Sequence, residues 1–430
     1  MRPALLAAAA SVGYMSASHI SVDEAAEHTI RLPSVADSST LFPRAPVLDW
    51  SSFNGAPAEP VAGVEQLPYQ ALVTSGRAAL YQAFLQLRLR AGSTVLVPTY
   101  HCPTMVASVV CAGLRPTFFP LRADGLPDVE RISLAATDPP RAMIVAHYFG
   151  LARSLKVVRD WCDLHGIALI EDCAHCYFGQ AGERTVGHWG DFATASLSKF
   201  FPVPEAGLLA SAHRPLAPMH LERPKLRAEV KGWVDVLEFA VDHGKLRGLS
   251  SVLKPIFAAK NVGRAKVPVS SSRAAPDDVL ASCDMGRVGQ SPLVVARLLN
   301  RVLPRGHIRV RRKENFAVYA SHFRGIAGAR ALFNDMEDVA APYVFPLWVD
   351  DADRVYSQAR SLGLPVFRWD RVWPGTPIVA GDTGPQWCQH VIQLLCHQDL
   401  SVDDVSATAR ALIQCLRPSA AAALPSVSHD

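Results

Sequence analysis

From about residue 70 to residue 211, short apolar blocks alternate with longer amphipathic stretches. The blocks are Ala71–Thr74, Thr94–Pro98, Pro116–Phe119, Ala142–Phe149, Ile167–Ile170, Phe192–Ser196 and Gly207–Ser211. Most are nearly continuous in apolar residues, which predicts strands buried on both faces rather than half-exposed ones. Between them the 3.6-residue period predicts helices. One opens at Ser75-Gly76 and runs through Leu89 to a stop at Gly92. A second spans Pro103–Ala112 and closes at Gly113, and a third covers 152–165 and closes at Gly166. Strands alternating with helices of this length imply an α/β fold whose mostly parallel sheet is covered on both faces.

The rest of the chain divides around this block. Residues 1–65 have a weak hydrophobic period and frequent Pro, Ser and Ala, and read as an irregular N-terminal arm. Residues 66–305 form a large domain, although 212–305 is rich in Lys, Arg and Pro and shows helical periodicity only near 228–242 and 291–303. A smaller C-terminal α/β domain is expected over 306–418. Its helices lie near 309–323, 351–362 and 402–416, and its strands at Tyr343–Val349, Pro365–Arg368 and Val391–Leu395. Residues 419–430 read as a flexible tail.

Composition narrows the classes. The chain has 430 residues, 49% hydrophobic and 19% charged, with a formal net charge of +4. That is ordinary for a two-domain globular protein. The basic residues are dispersed, which argues against nucleic acid as a partner. The local run Arg309-Val-Arg311-Arg312-Lys313 reads as the solvated face of a helix. Nine cysteines, several in apolar segments, do not form a disulfide framework and favour a reducing cytoplasm. Met1–Ala10 imitates a signal peptide, but its apolar run is short and Gly13–Ser18 is a poor cleavage site. No run approaches the roughly 20 apolar residues of a membrane span, so no membrane partner is expected.

Three stations carry the candidate chemistry. The turn Thr74-Ser75-Gly76-Arg77 leads from a strand into a helix, where free amides and the helix dipole favour an anion such as a phosphate. Ser75 and Arg77 are candidates to add side-chain contacts. Glu171-Asp172 ends a buried strand, the place where open α/β sheets hold ligands. Lys199 follows a further strand, with Ser196 three residues earlier and Phe200-Phe201-Pro202 after it. A lysine nucleophile must reach its neutral form, which apolar neighbours promote. A phosphate turn, a carboxylate for a pyridine nitrogen and a lysine for a Schiff base together suggest a pyridoxal phosphate site.

Two other patterns compete. Cys173-Ala-His175-Cys176 is a C-x-x-C, but no second pair supports a metal or redox site, and no metal is expected. Ser196-Leu-Ser-Lys199 matches S-x-x-K, without the S-D-N and K-T-G elements of the serine acyl-transferring enzymes.

Taken together, Thr74–Leu80, Val95–Tyr100, Ala112–Pro116, Val145–Gly150, Ile170–His175, Gly190-Asp191 and Ser196–Gly207 resemble the sugar aminotransferase family of DegT/DnrJ/StrS type, closely over 70–211. Leu395–Ser401 resembles the family's closing histidine segment within a looser similarity over 340–416. The resemblance implies a fold-type I pyridoxal phosphate transferase in a divergent branch. It implies that Lys199 forms the internal aldimine and shuttles a proton, and that Asp172 pairs with the pyridine nitrogen. His175 would lie on or beside the ring, and Gly76, Arg77 and Ser196 would surround the phosphate. Cys102 stands where the family usually has a stacking aromatic residue, with Tyr100 and His101 beside it. The partner-reaching Gly-x-Asn-Tyr-Arg segment is replaced by Met285–Pro292. The family implies a homodimer with sites at the subunit interface. The expected reaction moves an amino group from an amino acid donor, such as glutamate, to a keto acceptor such as a nucleotide-linked keto-sugar. Elimination, dehydration or desulfuration on the same cofactor is the alternative, as is a catalytically silent scaffold. The Arg368 and Trp369–Trp373 loop is expected to serve domain packing more than the substrate pocket.

Overall fold

In the computed structural model, residues 29–31, 41–54, 61–261, 278–334, 336 and 340–417 are described. The tail 419–430 and most of the N-terminal arm fall outside them. In chain order the strands are β1 (Thr29–Arg31), β2 (Leu41–Pro43), β3 (Tyr69–Val73), β4 (Thr94–Pro98), β5 (Arg115–Phe119), β6 (Ala142–Ala146), β7 (Ala168–Asp172), β8 (Gln180–Ala181), β9 (Arg184–Thr185), β10 (Phe192–Ser196), β11 (Gly207–Ser211), β12 (Ala329–Ala331), β13 (Val344–Val349), β14 (Val366–Phe367) and β15 (Val391–Leu395). The helices are α1 (Gly76–Leu87), α2 (Pro103–Cys111), α3 (Lys156–His165), α4 (Leu226–Asp242), α5 (Leu249–Asn261), α6 (Asp278–Ser282), α7 (Val294–Val302), α8 (Gly306–Phe323), α9 (Ala352–Ser361), α10 (Thr383–His390) and α11 (Val402–Leu416).

Seven strands form one sheet in the order β3-β11-β10-β7-β6-β4-β5. It is parallel from β10 to β5, and β11 runs antiparallel to both its neighbours. This is the α/β, mostly parallel architecture that the apolar blocks imply. Alternate residues divide between the faces. Val95, Val97, Ile144, Ile170 and Phe192 pack against α1 and α2 in one core cluster. Leu96, Met143, Val145, Leu169, Ala193 and Ala195 join a larger cluster with Val158 and Cys162 of α3. A second, antiparallel sheet follows the order β12-β13-β15-β14, with α8, α9 and α10 against it and α11 packed on α8 and α9.

Three places differ from the sequence reading. The arm is not irregular throughout: β2 pairs with β1, and Phe42 and Val47 are buried. Its Pro43 carbonyl accepts from His397 Nε2 at 3.0 Å, and the Val47 amide donates to Asp399 at 3.0 Å, so the closing histidine segment fastens it. The basic run at 309–313 is not one solvated face. Arg312 is wholly buried, and it lines up with Ile308, Phe316, Tyr319 and Phe323 on the inner face of α8. Finally, α5, α6 and α10 and the short strands β8, β9 and β12 were not anticipated.

Candidate active site

The C-terminal ends of the parallel strands hold the candidate residues. Asp172 ends β7, and its register partner in β10 is Thr194. Ile170 and Phe192 face α1, so the two-residue period puts Asp172, Thr194 and Ser196 on that same face. The N-terminus of α1 approaches there. A Cβ added to Gly76 would lie 3.3 Å from Ser196 Cβ. Gly207 permits the approach of β11, because a Cβ at that position would lie 2.1 Å from the Ser75 carbonyl oxygen. Ser75 caps α1, with its hydroxyl accepting from the Ala78 amide at 3.1 Å. The amides of Gly76 and Arg77 belong to the open first turn, where a helix offers donors to an anion.

Lys199 lies in a short 3-10 turn beyond β10. Its Nζ is 5.0 Å from the centre of the Tyr343 ring. His175 shares that neighbour, at 4.4 Å between ring centres, and also meets Trp369 at 4.8 Å. Gly150 makes room for this contact: a Cβ there would fall 2.4 Å from the Tyr343 amide and 2.8 Å from the His175 carbonyl. Burial, aided by the Lys199 charge, holds His175 well below the usual imidazole range. Burial raises the Asp172 carboxyl, while the Ala174 amide and Lys199 pull it down. Burial likewise raises the Cys102 thiol, against the opposing influence of Lys199. Cys102 precedes α2 with Sγ 2.9 Å from Thr104 Oγ1. Lys199, Asp172, His175 and Cys102 are therefore one electrostatic neighbourhood.

Arg77 is placed differently from the simplest phosphate reading. Its guanidinium meets Glu205 at 2.6 Å and Asp284 at 3.2 Å. Arg287 completes a quartet with the same two carboxylates, each at 2.7 Å. The segment that follows Asp284 is fixed over the Thr74–Arg77 turn by this network, and Thr74 Oγ1 donates to the Arg287 carbonyl at 2.8 Å.

Glu171, next to Asp172, faces the other way. It is fully buried. It accepts from His147 Nε2 at 2.8 Å and from the amides of Gly187, Trp189 and Gly190 at 2.9, 2.6 and 2.6 Å. His147, Glu171 and Cys173 are close enough to resemble a metal set. The carboxylate oxygens are nevertheless spent on four protein donors, so the cluster is accounted for without an ion. Cys173 and Cys176 are buried and form no disulfide, in a turn closed by a 3.0 Å backbone bond.

Three neighbours of the site escaped the sequence reading, and a fourth, Trp369, was assigned there mainly to packing. Thr194 Oγ1 is buried and has no hydrogen-bond partner. Its strand alternation with Ser196 was a usable signal. Arg312 donates to the Lys199 carbonyl at 2.6 Å, to Gln398 at 3.0 Å and to the Pro342 carbonyl at 3.2 Å. It also lies 4.4 Å over the Phe200 ring. The helical period of α8 could have exposed it. Tyr343 and Trp369 come from the second sheet and the loop near it, and no local pattern marks them. Trp369 packs 5.2 Å from Tyr100, whereas Arg368 turns away to the Cys388 and Gln389 carbonyls. The 368–373 loop thus divides between packing and the site.

A lysine, an acid, hydroxyls and a helix N-terminus are gathered at the strand ends, the place where open α/β sheets hold ligands. Solved aminotransferases share the fold. The structure of DesI in the presence of its TDP-sugar product superimposes with a TM-score of 0.58 at 17% identity, covering 87% of this chain and 92% of that one. DesV from S. venezuelae in complex with a ketimine intermediate gives 0.54 at 17% identity, covering 82% and 86%. In sequence, residues 65–217 match the DegT/DnrJ/EryC1/StrS aminotransferase family, and the chain is a relative of that family through this segment. GDP-perosamine synthase of Vibrio cholerae is 32% identical over 142 residues, which are 32% of this chain and 39% of that protein. A putative L-glutamine:3-amino-2,3-dideoxy-scyllo-inosose aminotransferase of Micromonospora echinospora is 30% identical over 178 residues, 38% of this chain and 43% of its own length. The chain thus aligns with about two fifths of these curated relatives.

Proposed function

We propose that this protein is a pyridoxal phosphate-dependent aminotransferase. The observation that carries the reading is the shared face of Asp172, Thr194 and Ser196 beside the α1 N-terminus, with Lys199 just beyond. The residues present suit the cofactor. An unpartnered, buried Thr194 hydroxyl and the open first turn at Gly76 and Arg77 suit a phosphate. Ser75 and Ser196 would add hydroxyls, and Arg77 would contribute its amide while its guanidinium serves the ion-pair quartet. Asp172 would hold the ring nitrogen, and His175 and Cys102 would flank the ring. When bound, pyridoxal phosphate supplies an electron sink for breaking the C–H bond next to nitrogen. Lys199 Nζ would take the proton from that carbon and return it elsewhere. Tyr343, Trp369, Tyr100 and Tyr148 would exclude water and orient the substrate. Arg312 would position Lys199 through its carbonyl.

The relatives named for nucleotide-sugar and inosose amination support an acceptor of that kind: a keto-sugar carried on a nucleotide, or a cyclic polyol ketone. Their names also favour glutamine or glutamate as donor. We extend the reading to a homodimer in the cytoplasm. Among the described residues no helix is long and apolar enough to cross a membrane. The test is a half-reaction screen. Mixing the cofactor-loaded protein with glutamate or glutamine should convert the cofactor stoichiometrically to pyridoxamine phosphate. Absence of that conversion would contradict transamination, and release of ammonia and a keto acid from serine or cysteine, whose β-substituent can leave, would favour elimination.

A further inference from the structure

Sheet pairing ends just before the candidate lysine. Ser196 is the last residue of β10 in register with β11, and the Leu197 amide still donates to the Ala206 carbonyl at 2.9 Å. Lys199 and Phe200 lie beyond that support, where buried carbonyls need donors from elsewhere. Two side chains supply them. Arg312 of α8 donates to the Lys199 carbonyl at 2.6 Å, and Gln398 Nε2 donates to the Phe200 carbonyl at 2.9 Å. The two are joined, because Arg312 Nε donates to Gln398 Oε1 at 3.0 Å. Gln398 and Arg312 are both buried. A primary amide can donate to the backbone and accept from a guanidinium at the same time, which a carboxylate or an amine cannot.

The residues on either side of Gln398 face another way. His397 Nε2 donates to the Pro43 carbonyl, and Asp399 accepts from the Val47 amide, both at 3.0 Å. His397 Nδ1 accepts from the Asp399 amide at 3.3 Å, which fixes the imidazole tautomer. Asn315 of α8 pins the turn from below, donating to the His397 and Leu400 carbonyls at 3.0 and 3.2 Å. Three consecutive residues thus alternate: 397 and 399 hold the N-terminal arm, and 398 holds the turn that carries Lys199. The arm is seated in its own right, with Phe42 and Val47 buried.

We propose that Gln398 is a positioning residue for Lys199, and that the N-terminal arm acts on the lysine turn through it. With the arm seated, the closing segment is fixed on one side and presents its amide to the Phe200 carbonyl and to Arg312 on the other. Two adjacent carbonyls of the turn are then held from outside the sheet, and the reach of the Lys199 side chain starts from a fixed backbone. As a statement about catalysis this rests on the reading of Lys199 as the reactive lysine; as a statement about the turn it does not.

Hydrogen–deuterium exchange of the full, cofactor-free chain reads the turn directly. Gln398→Met removes both bonds. Gln398→Glu keeps an acceptor for Arg312 and loses the donor to Phe200, and it serves where the first variant folds poorly. Each should raise exchange at the amides of residues 197–203 by about tenfold or more, with β6 and β7 unchanged. Phe42→Ala, which loosens the arm, should do the same in the native chain and add little in Gln398→Met. Val355→Ala, a buried truncation on α9, should leave the turn unchanged. In the cofactor-loaded enzyme, Gln398→Glu should lower kcat by about tenfold with the donor KM unchanged. A turn whose exchange ignores Gln398, or rises only together with the whole sheet, would overturn the proposal. An equal effect of Phe42→Ala with and without Gln398 would overturn the role of the arm. A native chain that forms no absorbance band with pyridoxal phosphate, while the exchange pattern holds, would refute the cofactor reading and leave the hold of Gln398 on the turn standing.

Discussion

The two faces of β7 at its C-terminal end carry adjacent carboxylates with opposite roles. Glu171 has four donors and is fully buried among them. Asp172 accepts one, from the Ala174 amide at 2.9 Å, and takes no other hydrogen bond among the described residues. Both groups are buried acids at a strand end, and burial alone does not separate them. What separates them is hydrogen-bonding capacity: the Glu171 face has spent it on the fold, whereas the Asp172 face keeps it, together with the unpartnered Thr194 hydroxyl. His101 repeats the first pattern. Its Nδ1–H donates to the Pro98 carbonyl at 2.8 Å and its Nε2 accepts from the Trp373 amide at 2.9 Å, so neither nitrogen is available to a ligand.

Exchanging the two acids is the strongest way to break this comparison. Asp172→Asn keeps the shape and removes the charge. It should lower turnover by on the order of 10²–10⁴ while leaving thermal stability nearly unchanged. Glu171→Ala should do the reverse. Leaving four buried donors without an acceptor costs roughly 1–3 kcal/mol each, so a loss of at least about 4 kcal/mol in denaturant unfolding is expected, with turnover per folded molecule retained. Equal effects of both changes on both measurements would erase the distinction.

His101 supplies a pH-dependent version. Burial lowers its pKa from 6.5 to about 4. The unfolded chain therefore binds a proton that the folded chain refuses across that window, and the folded state loses stability as pH falls through it. The stability advantage of the native chain over His101→Gln should shrink by roughly 3 kcal/mol between pH 7 and pH 4. A constant difference would mean that the imidazole protonates freely in the fold.

Thr194→Val tests the unspent side more gently. The hydroxyl has no partner to lose, so stability should hold or rise. Affinity for pyridoxal phosphate should fall by roughly 10–100-fold, the worth of one hydrogen bond to a charged group. Unchanged affinity would remove Thr194 from the phosphate site. The smallest effect is expected at the half-exposed ion-pair quartet, where Glu205→Gln should cost less than about 1 kcal/mol and lose even that at high salt. A larger loss would give the quartet a structural weight that its exposure does not suggest.

Much of the sheet was legible in sequence because the parallel strands are apolar blocks set off by glycine and proline. Lys199, Asp172, Ser75 and Gly76 were legible for a related reason, since each sits at a strand end or a helix start. Tyr343 was not, and Trp369 was read mainly as packing. They reach His175 from the second sheet and the loop near it, and that long-range contact leaves no local period. Arg312 was misread because three basic neighbours hid one buried position on the inner face of α8. The helix α5 was obscured by Pro255 within it and by lysines that break its apolar period. The sequence match to the family also ends at residue 217, so it covers Asp172 and Lys199 and not Tyr343 and Trp369.

The central claim is that Lys199 and its neighbours on the Asp172 face hold pyridoxal phosphate. A spectral titration of the full chain with that cofactor tests it most directly. The account predicts a saturable visible absorbance band in the native chain that is retained in His101→Gln and lost in Lys199→Ala, with both variants folded. A native chain that develops no such band, or a Lys199→Ala chain that develops the same one, would contradict it.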